Sequence, residues 1–190
     1  MAAPLDMTTE NISGTFVMNK ELSDDTDKIL ERQGVGWFLR TAIRLATITL
    51  HVNHYYKDGV EHIDIKQTLT GGIEGTEENR TIDWTERKHT DKLFGPVVSK
   101  SRRIKAEDLP NEYLSVGWLS EAVESGLIHS YVVSDKPEGS KGYWTAEQAW
   151  GFEIINEQKR HVRHVYFTSE EEIIKAKLIY DYAGPYSKAI

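Results

Sequence analysis

The 190-residue chain contains no cysteine and has a formal charge of −7, from 30 acidic and 23 basic residues. The missing thiols exclude disulfides, thiolate metal sites and thiol nucleophiles, and they fit a reducing compartment, so we expect a cytoplasmic protein. The acidic balance argues against nucleic-acid binding, and no stretch approaches the ~18 apolar residues of a membrane helix. The length predicts one domain over residues 1–190.

The first quarter of the chain predicts a strand followed by two short helices. Residues 1–10 are expected to form a flexible tail before a strand over 12–20. Acidic residues follow Ser23, where a helix N-terminus favours negative charge. Helices are therefore predicted over 25–33 and 37–46, separated by Gly34-Val-Gly36. Together, residues 23–46 form a predicted helical lid.

A β-hairpin is the clearest prediction from the sequence. Two segments rich in Thr, Ile, Val and Tyr, residues 47–56 and 60–70, flank Asp58-Gly59, a strong two-residue turn signal. Gly71-Gly72 ends the second segment. Pairing about the turn gives a predicted inward face comprising Ile48, Leu50, Val52, His54, Tyr56, Ile63, Ile65, Gln67 and Leu69. The other face, which includes His51 and Lys66, is expected to meet water.

The remaining chain predicts mostly strands. They are expected near residues 76–84, 97–105, 127–134, 143–155, 160–168 and 172–182, with one helical insertion over 106–126. Successive strands joined by short turns form a meander, and a long meander closes to remove exposed edges. The predicted fold is mainly β: a single antiparallel up-and-down barrel of about nine to ten strands, with a two-helix lid and one inserted helix.

Three short motifs in this order carry a family resemblance: Gly14-Thr-Phe16, Gly34-Val-Gly36-Trp-Phe-Leu-Arg40 and Ile63-Asp-Ile-Lys66. Residues 12–105 resemble fatty-acid-binding proteins and lipocalins, the calycin barrels. The resemblance implies that the helices cap the barrel as a ligand portal. The chain departs from the family in its length, its insertion and its last strand, Lys175-Ala-Lys-Leu-Ile-Tyr180, which lacks the arginine of the carboxylate clamp. Fungal lipocalin-like proteins of specialised metabolism, either carriers or cyclases, also resemble this layout.

Candidate site residues follow from the predicted inward faces. His54 and Tyr180 could move a proton and are the candidate catalytic residues; for His54, a core histidine bonded to a neighbour is the alternative and the favoured interpretation. Arg163 is a candidate for meeting an anion, although the inward face of strand 160–168 stays open. The candidate ligand-binding residues are His54, Tyr56, Gln67, Trp144, Trp150, Phe152, Arg163, Leu178, Tyr180 and Tyr182.

The first hypothesis for function is intracellular binding of a small hydrophobic ligand in the barrel. The alternative is a cofactor-independent cyclase or isomerase that acts on a hydrophobic natural-product intermediate in the same cavity. A third possibility is an interaction barrel with a filled core. No cofactor is expected, and no metal, because His51 and His54 point to opposite faces of one strand. The oligomeric state stays open.

Overall fold

The computed structural model describes residues 1–70 and 75–187, and their backbone forms one antiparallel sheet of ten strands. The strands β1 to β10 cover Gly14–Met18, Ile48–Lys57, Val60–Leu69, Glu77–Thr81, Arg87–Asp91, Gly95–Ile104, Leu127–Ser134, Trp144–Ile155, Gln158–Ser169 and Ile173–Gly184. The helices α1 to α4 cover Asp27–Arg32, Trp37–Leu45, Glu112–Ser115 and Ser120–Ser125. The predicted mainly-β barrel fold is confirmed. No helix within the described ranges is long and apolar enough to cross a bilayer.

The β2–β3 hairpin has the predicted register. Val52 pairs with Ile65 and Leu50 pairs with Gln67. The turn residues Asp58 and Gly59 have φ angles of 52° and 79°, as a type I′ turn requires. Of the aliphatic residues on the predicted inward face, Ile48, Leu50, Val52, Ile63 and Ile65 are buried and Leu69 is partly buried. The predicted strand end at Gly71-Gly72 lies outside the described residues.

Helices α1 and α2 form the predicted lid over one end of the barrel. Ile29 of α1 is buried against the sheet, and Ile43 of α2 packs against the core. Lys20 fastens the end of α2, because its Nζ donates to the carbonyls of Ile43 at 3.1 Å and Arg44 at 2.6 Å and also to that of Ala46. The lid is therefore held by its inward apolar residues and by a cation at its C-terminal end.

The helical insertion packs on the outer face of the sheet. It consists of a 3₁₀ turn at Ala106–Asp108 followed by α3 and α4. Leu114 and Ala122 are fully buried in one apolar cluster with Leu127 and Ala149 of the sheet. The barrel therefore has a second apolar core outside its wall, in addition to the one inside.

Substituting Leu114→Ala should lower the free energy of unfolding by roughly 3 kcal/mol, because it leaves a cavity in this second core. The matched control is Val116→Ala on the same segment, where the side chain is 52 % exposed; it should cost less than about 0.5 kcal/mol. Urea unfolding monitored by tryptophan fluorescence measures both. Equal, small losses would show that the insertion does not contribute to the fold.

The prediction of a flexible tail over residues 1–10 is wrong. Ala3, Met7 and Thr9 are buried. The Lys159 ammonium group donates to the carbonyls of Leu5 and Met7, at 3.0 and 2.6 Å. A polar segment with isolated apolar residues has no periodicity from which order can be predicted, and its order here comes from long-range contacts with β9. It closes the end of the barrel opposite the lid.

The sheet ends in two edge strands, β4 and β5. Strand β5 was not predicted, because its sequence Arg-Lys-His-Thr-Asp carries no apolar alternation and its side chains are largely exposed. A bridge between Ile82, which directly follows β4, and Ser101 brings the chain beside the β4 edge against β6. The barrel wall is therefore continuous around nine strand pairs and incomplete between β4 and β5.

Candidate functional site

A cavity of about 500 Å³ lies inside the barrel beneath the lid. Its upper walls are apolar and come from both lid helices, from seven strands and from the connection between β5 and β6. These walls are formed by Met18, Ile29, Leu30, Ile43, Ile48, Phe94, Val97, Val132, Trp144, Ala146, Val165 and Leu178. Its polar lining includes Gln67, Glu78, Arg80, Gln148, Arg163 and Tyr180, and further polar residues of β4 and β5 also contribute, among them Glu77, Arg87, Lys88, His89 and Asp91. The cavity thus has an apolar part and a charged part, which we call the cationic end after Arg80 and Arg163.

Arg163 of β9 is a buried cation at this end. Its guanidinium carbon lies 3.9 Å from the centre of the Trp150 ring and 5.5 Å from that of Tyr180. Nε donates to Nε2 of His161 at 3.5 Å, and Nη1 lies 4.0 Å from Oε1 of Glu78. Nη2 is buried and has no hydrogen-bond partner among the described residues. Because a buried donor without a partner is costly, this nitrogen is suited to an acceptor on a ligand.

Arg80 of β4 places a second cation beside Arg163. Its Nε and Nη2 both donate to Oε2 of Glu78, at 2.9 and 2.6 Å. Its Nη1 donates to the hydroxyls of Ser101 and Ser130, at 3.1 and 2.8 Å, and so joins β4 to β6 and β7 across the incomplete part of the wall. All donor groups of Arg80 thus have partners in the protein, whereas Arg163 keeps one donor for a ligand.

Glu78 remains ionised between the two arginines. Burial alone would raise the pKa of this carboxyl, but the charges of Arg80 and Arg163 outweigh burial and hold the pKa below its ordinary value. Two guanidinium cations and one carboxylate leave a net charge of +1. The cationic end is therefore suited to an anion or to a strongly polarised carbonyl oxygen.

Five of the predicted ligand-binding residues line the cavity: Gln67, Trp144, Arg163, Leu178 and Tyr180. The open question of strand 160–168 is answered, since Arg163 and Val165 face inward. Burial raises the pKa of the Tyr180 hydroxyl, as does the charge of Glu78, while Arg163 lowers it. This hydroxyl is therefore protonated near neutral pH and can donate a hydrogen bond.

Four other predicted residues lie outside the cavity lining. Trp150 is buried below both arginines and donates from Nε1 to Gln148 at 2.9 Å. Phe152 packs against the ring of His161 in the core, and Tyr182 packs edge-on against Phe16. Tyr56 is exposed at the hairpin end, because the inward face of β2 continues past the barrel wall there. Of these four, Trp150 supports the cavity indirectly, because the guanidinium groups of Arg80 and Arg163 pack against its ring.

His54 points inward as predicted, but it lies at the end closed by the N-terminal segment. Its side chain is 2 % exposed, with Nε2 at 3.0 Å from Oε1 of Glu61. The backbone N–H of Ile12 donates to Nδ1 over 3.4 Å. His54 therefore has the surroundings expected of a core histidine bonded to its neighbours, and it does not line the cavity.

Sequence reasoning missed Arg80 and Glu78, although a signal for them existed. In the β3–β4 ladder, Arg80 pairs with Ile63 and Glu78 pairs with Ile65. Paired residues on antiparallel strands share a face, and Ile63 and Ile65 were both predicted to point inward. Extending the hairpin register by one more strand would have placed both charged residues inside the barrel.

Comparison with known proteins gives two relatives that match along nearly the whole chain, although no family model matches it. The sequence is 27 % identical over 186 residues to a probable pericyclase of Mollisia scopiformis, covering 97 % of this chain and 96 % of the relative. It is 24 % identical over 189 residues to a pericyclase of Acremonium sp., covering 97 % and 98 %.

Among solved structures, the fold is similar to lipid-binding barrels. Lipid binding protein 8 of Caenorhabditis elegans matches with a TM-score of 0.57 and 12 % identity, over 90 % of this chain and 94 % of that one. Fatty-acid-binding protein 1 of Echinococcus granulosus matches with 0.54 and 16 %, over 91 % and 98 %. The chain therefore has the fold of fatty-acid-binding proteins, and the predicted calycin-type barrel is confirmed.

Proposed function

We propose that this protein is a pericyclase: it binds a linear hydrophobic polyene in the cavity and closes it by an intramolecular pericyclic reaction, without a cofactor. The observation that carries the proposal is the unpartnered Nη2 of Arg163, buried at the cationic end of a cavity whose other part has apolar walls. The names of the two full-length relatives support the reaction class. Cysteine-free composition fits action in the cytoplasm.

The protein can promote a pericyclic closure in two ways. A pericyclic closure rearranges bonds within one molecule, so the main barrier that a cavity can lower is the loss of freedom on folding the chain into a reactive conformer. A donor aimed at a carbonyl conjugated to the reacting alkene withdraws electrons from it and stabilises charge that grows on oxygen in the transition state. The apolar walls would fold the chain, and Arg163, assisted by the Tyr180 hydroxyl, would hold the carbonyl.

The test uses a synthetic linear substrate in which a conjugated diene and a carbonyl-conjugated alkene are tethered in one apolar chain. We expect loss of diene absorbance faster than in buffer, with a product of unchanged mass and one predominant stereoisomer. The matched control protein is Lys175→Met, which removes an exposed cation from the outer face of β10 and should react like the wild type. The same rate and isomer mixture in buffer and with protein would contradict the proposal.

A carrier of hydrophobic ligands is the second candidate, and the fold shared with fatty-acid-binding proteins favours it. The same cationic end would then hold an anionic head group. The two functions differ in one measurement: a carrier binds the linear molecule and releases it unchanged, whereas a pericyclase releases its isomer.

A further inference from the structure

His161 lies two residues before Arg163 on β9 and faces the same interior. Its Nδ1 is 3.1 Å from the carbonyl oxygen of Gly151 on the neighbouring strand. Because a carbonyl can only accept, Nδ1 carries the ring proton and donates it there. The lone pair of Nε2 therefore points at Nε–H of Arg163, at 3.5 Å.

The surroundings of His161 keep the ring neutral. It is fully buried among aromatic rings, with ring centres 5.2 Å from Phe16, 5.8 Å from Phe152 and 5.4 Å from Tyr180. Burial, joined by the charge of Arg163, lowers the pKa of His161 to about 3. A neutral ring with Nδ1 protonated can accept from Arg163, whereas a protonated ring would repel it.

The guanidinium of Arg163 is thus fixed on every side except one. The Trp150 ring lies against its plane, Nε meets His161, and Nη1 faces Glu78. The carboxylate of Glu78, 4.0 Å from Nη1, attracts the guanidinium group as a whole. The hydrogen bond from Nε to His161 opposes a turn of the group toward that carboxylate.

We propose that His161 is a positioning residue, whose Nε2 holds Nε of Arg163 so that Nη2 stays directed into the cavity toward an acceptor on the substrate. The inference rests on the proposed function, because it requires that Nη2 of Arg163 donates to an acceptor on the bound substrate. His161 itself does not touch the substrate and acts through Arg163 alone.

The experiment compares two probes that share one apolar skeleton: 8-anilinonaphthalene-1-sulfonate, which carries a sulfonate, and N-phenyl-1-naphthylamine, which does not. Their dissociation constants are measured by fluorescence titration for wild type, His161→Phe, His161→Gln and Arg163→Met. Phenylalanine keeps a buried ring but removes the acceptor, while glutamine supplies an acceptor oxygen. Thermal melting of each variant identifies any that fails to fold, and glutamine then serves as the second, polar variant.

We expect Arg163→Met to weaken sulfonate binding by about tenfold or more, as loss of a charged hydrogen bond implies, and to leave the neutral probe within about twofold. We expect His161→Phe to weaken sulfonate binding selectively, by roughly three- to tenfold, and His161→Gln to restore it. A merely structural role for His161 would weaken both probes alike.

The outcomes separate the two proposals. If Arg163→Met loses the preference for the sulfonate while His161→Phe keeps it, positioning by His161 is overturned and the role of Arg163 stands. If Arg163→Met itself keeps the preference, the cationic end does not bind acceptors and both ideas fail. If the probes behave as expected but no linear polyene is cyclised, the proposed reaction fails and the positioning role holds for ligand binding.

Discussion

Replacing Arg163 with methionine is expected to slow cyclisation by about 10²-fold, the typical effect of removing one donor that stabilises charge in a transition state. Methionine matches the unbranched stem of arginine as far as Nε, so the change removes the guanidinium group and leaves the stem in place. Glu78 keeps both bonds from Arg80 in this variant, and no buried carboxylate is left unpaired. Single-turnover measurement of diene loss, at saturating protein, reports the chemical step alone.

The pattern of kinetic change is as informative as its size. If Nη2 acts in the transition state, the maximal rate should fall more than the affinity for the substrate. The outer-face variant Lys175→Met carries the same loss of charge and should leave both unchanged. An equal, small fall in both variants would mean that Arg163 contributes only to the overall field of the protein.

Substituting Glu153→Gln should lower the free energy of unfolding by about 3 kcal/mol, because it breaks a buried ion pair on one side only. Glu153 lies on the outer face of β8 under the insertion. Its Oε1 is 2.5 Å from Nε2 of His164, and its Oε2 accepts from Lys177 at 2.7 Å. Glutamine would turn an N–H group toward one of these donors. Denaturant unfolding at pH 7 measures the loss, with exposed Glu170→Gln as the control.

The contacts of Glu153 with His164 and Lys177 also predict that the free energy of unfolding depends on pH. Burial would raise the pKa of Glu153, but the bonds from His164 and Lys177 outweigh it and lower the pKa below its ordinary value. The stabilisation is therefore complete above the ordinary carboxyl pKa of about 4.3 and is lost as the pH falls through the lower folded value. The difference between wild type and Glu153→Gln should shrink in acid. A difference that stays constant down to pH 3 would mean that the carboxylate charge is not responsible.

The hairpin and lid were predictable because local chemistry dictates them. Asp58-Gly59 permits the positive φ angles of a type I′ turn, and two-residue alternation on either side fixes the register. The lid follows from two apolar helical segments around Gly34-Val-Gly36. In each case the deciding residues lie within about ten positions of one another.

The site was predictable only in part because its residues meet across the barrel. Arg163 and Arg80 are 83 positions apart and come together through Trp150 of a third strand. Alternation along β9 separates two faces but does not say which is inside, since both faces are buried, one by the cavity and one by the insertion. Because both faces of β9 are buried, the sequence also could not show that His161 points toward Arg163 inside the barrel.

The two edge strands of the sheet have a further consequence, for contacts between molecules. An unpaired edge offers free N–H and C=O groups to another chain, and long apolar edges promote such pairing. Glu78 and Arg80 of β4 point into the barrel, so the edge charges are those of exposed Glu77 on β4 and of exposed Arg87 and Lys88 on β5. Desolvating these exposed charges opposes edge-to-edge aggregation. Replacing them with β-branched residues would strengthen pairing at this edge and favour self-association.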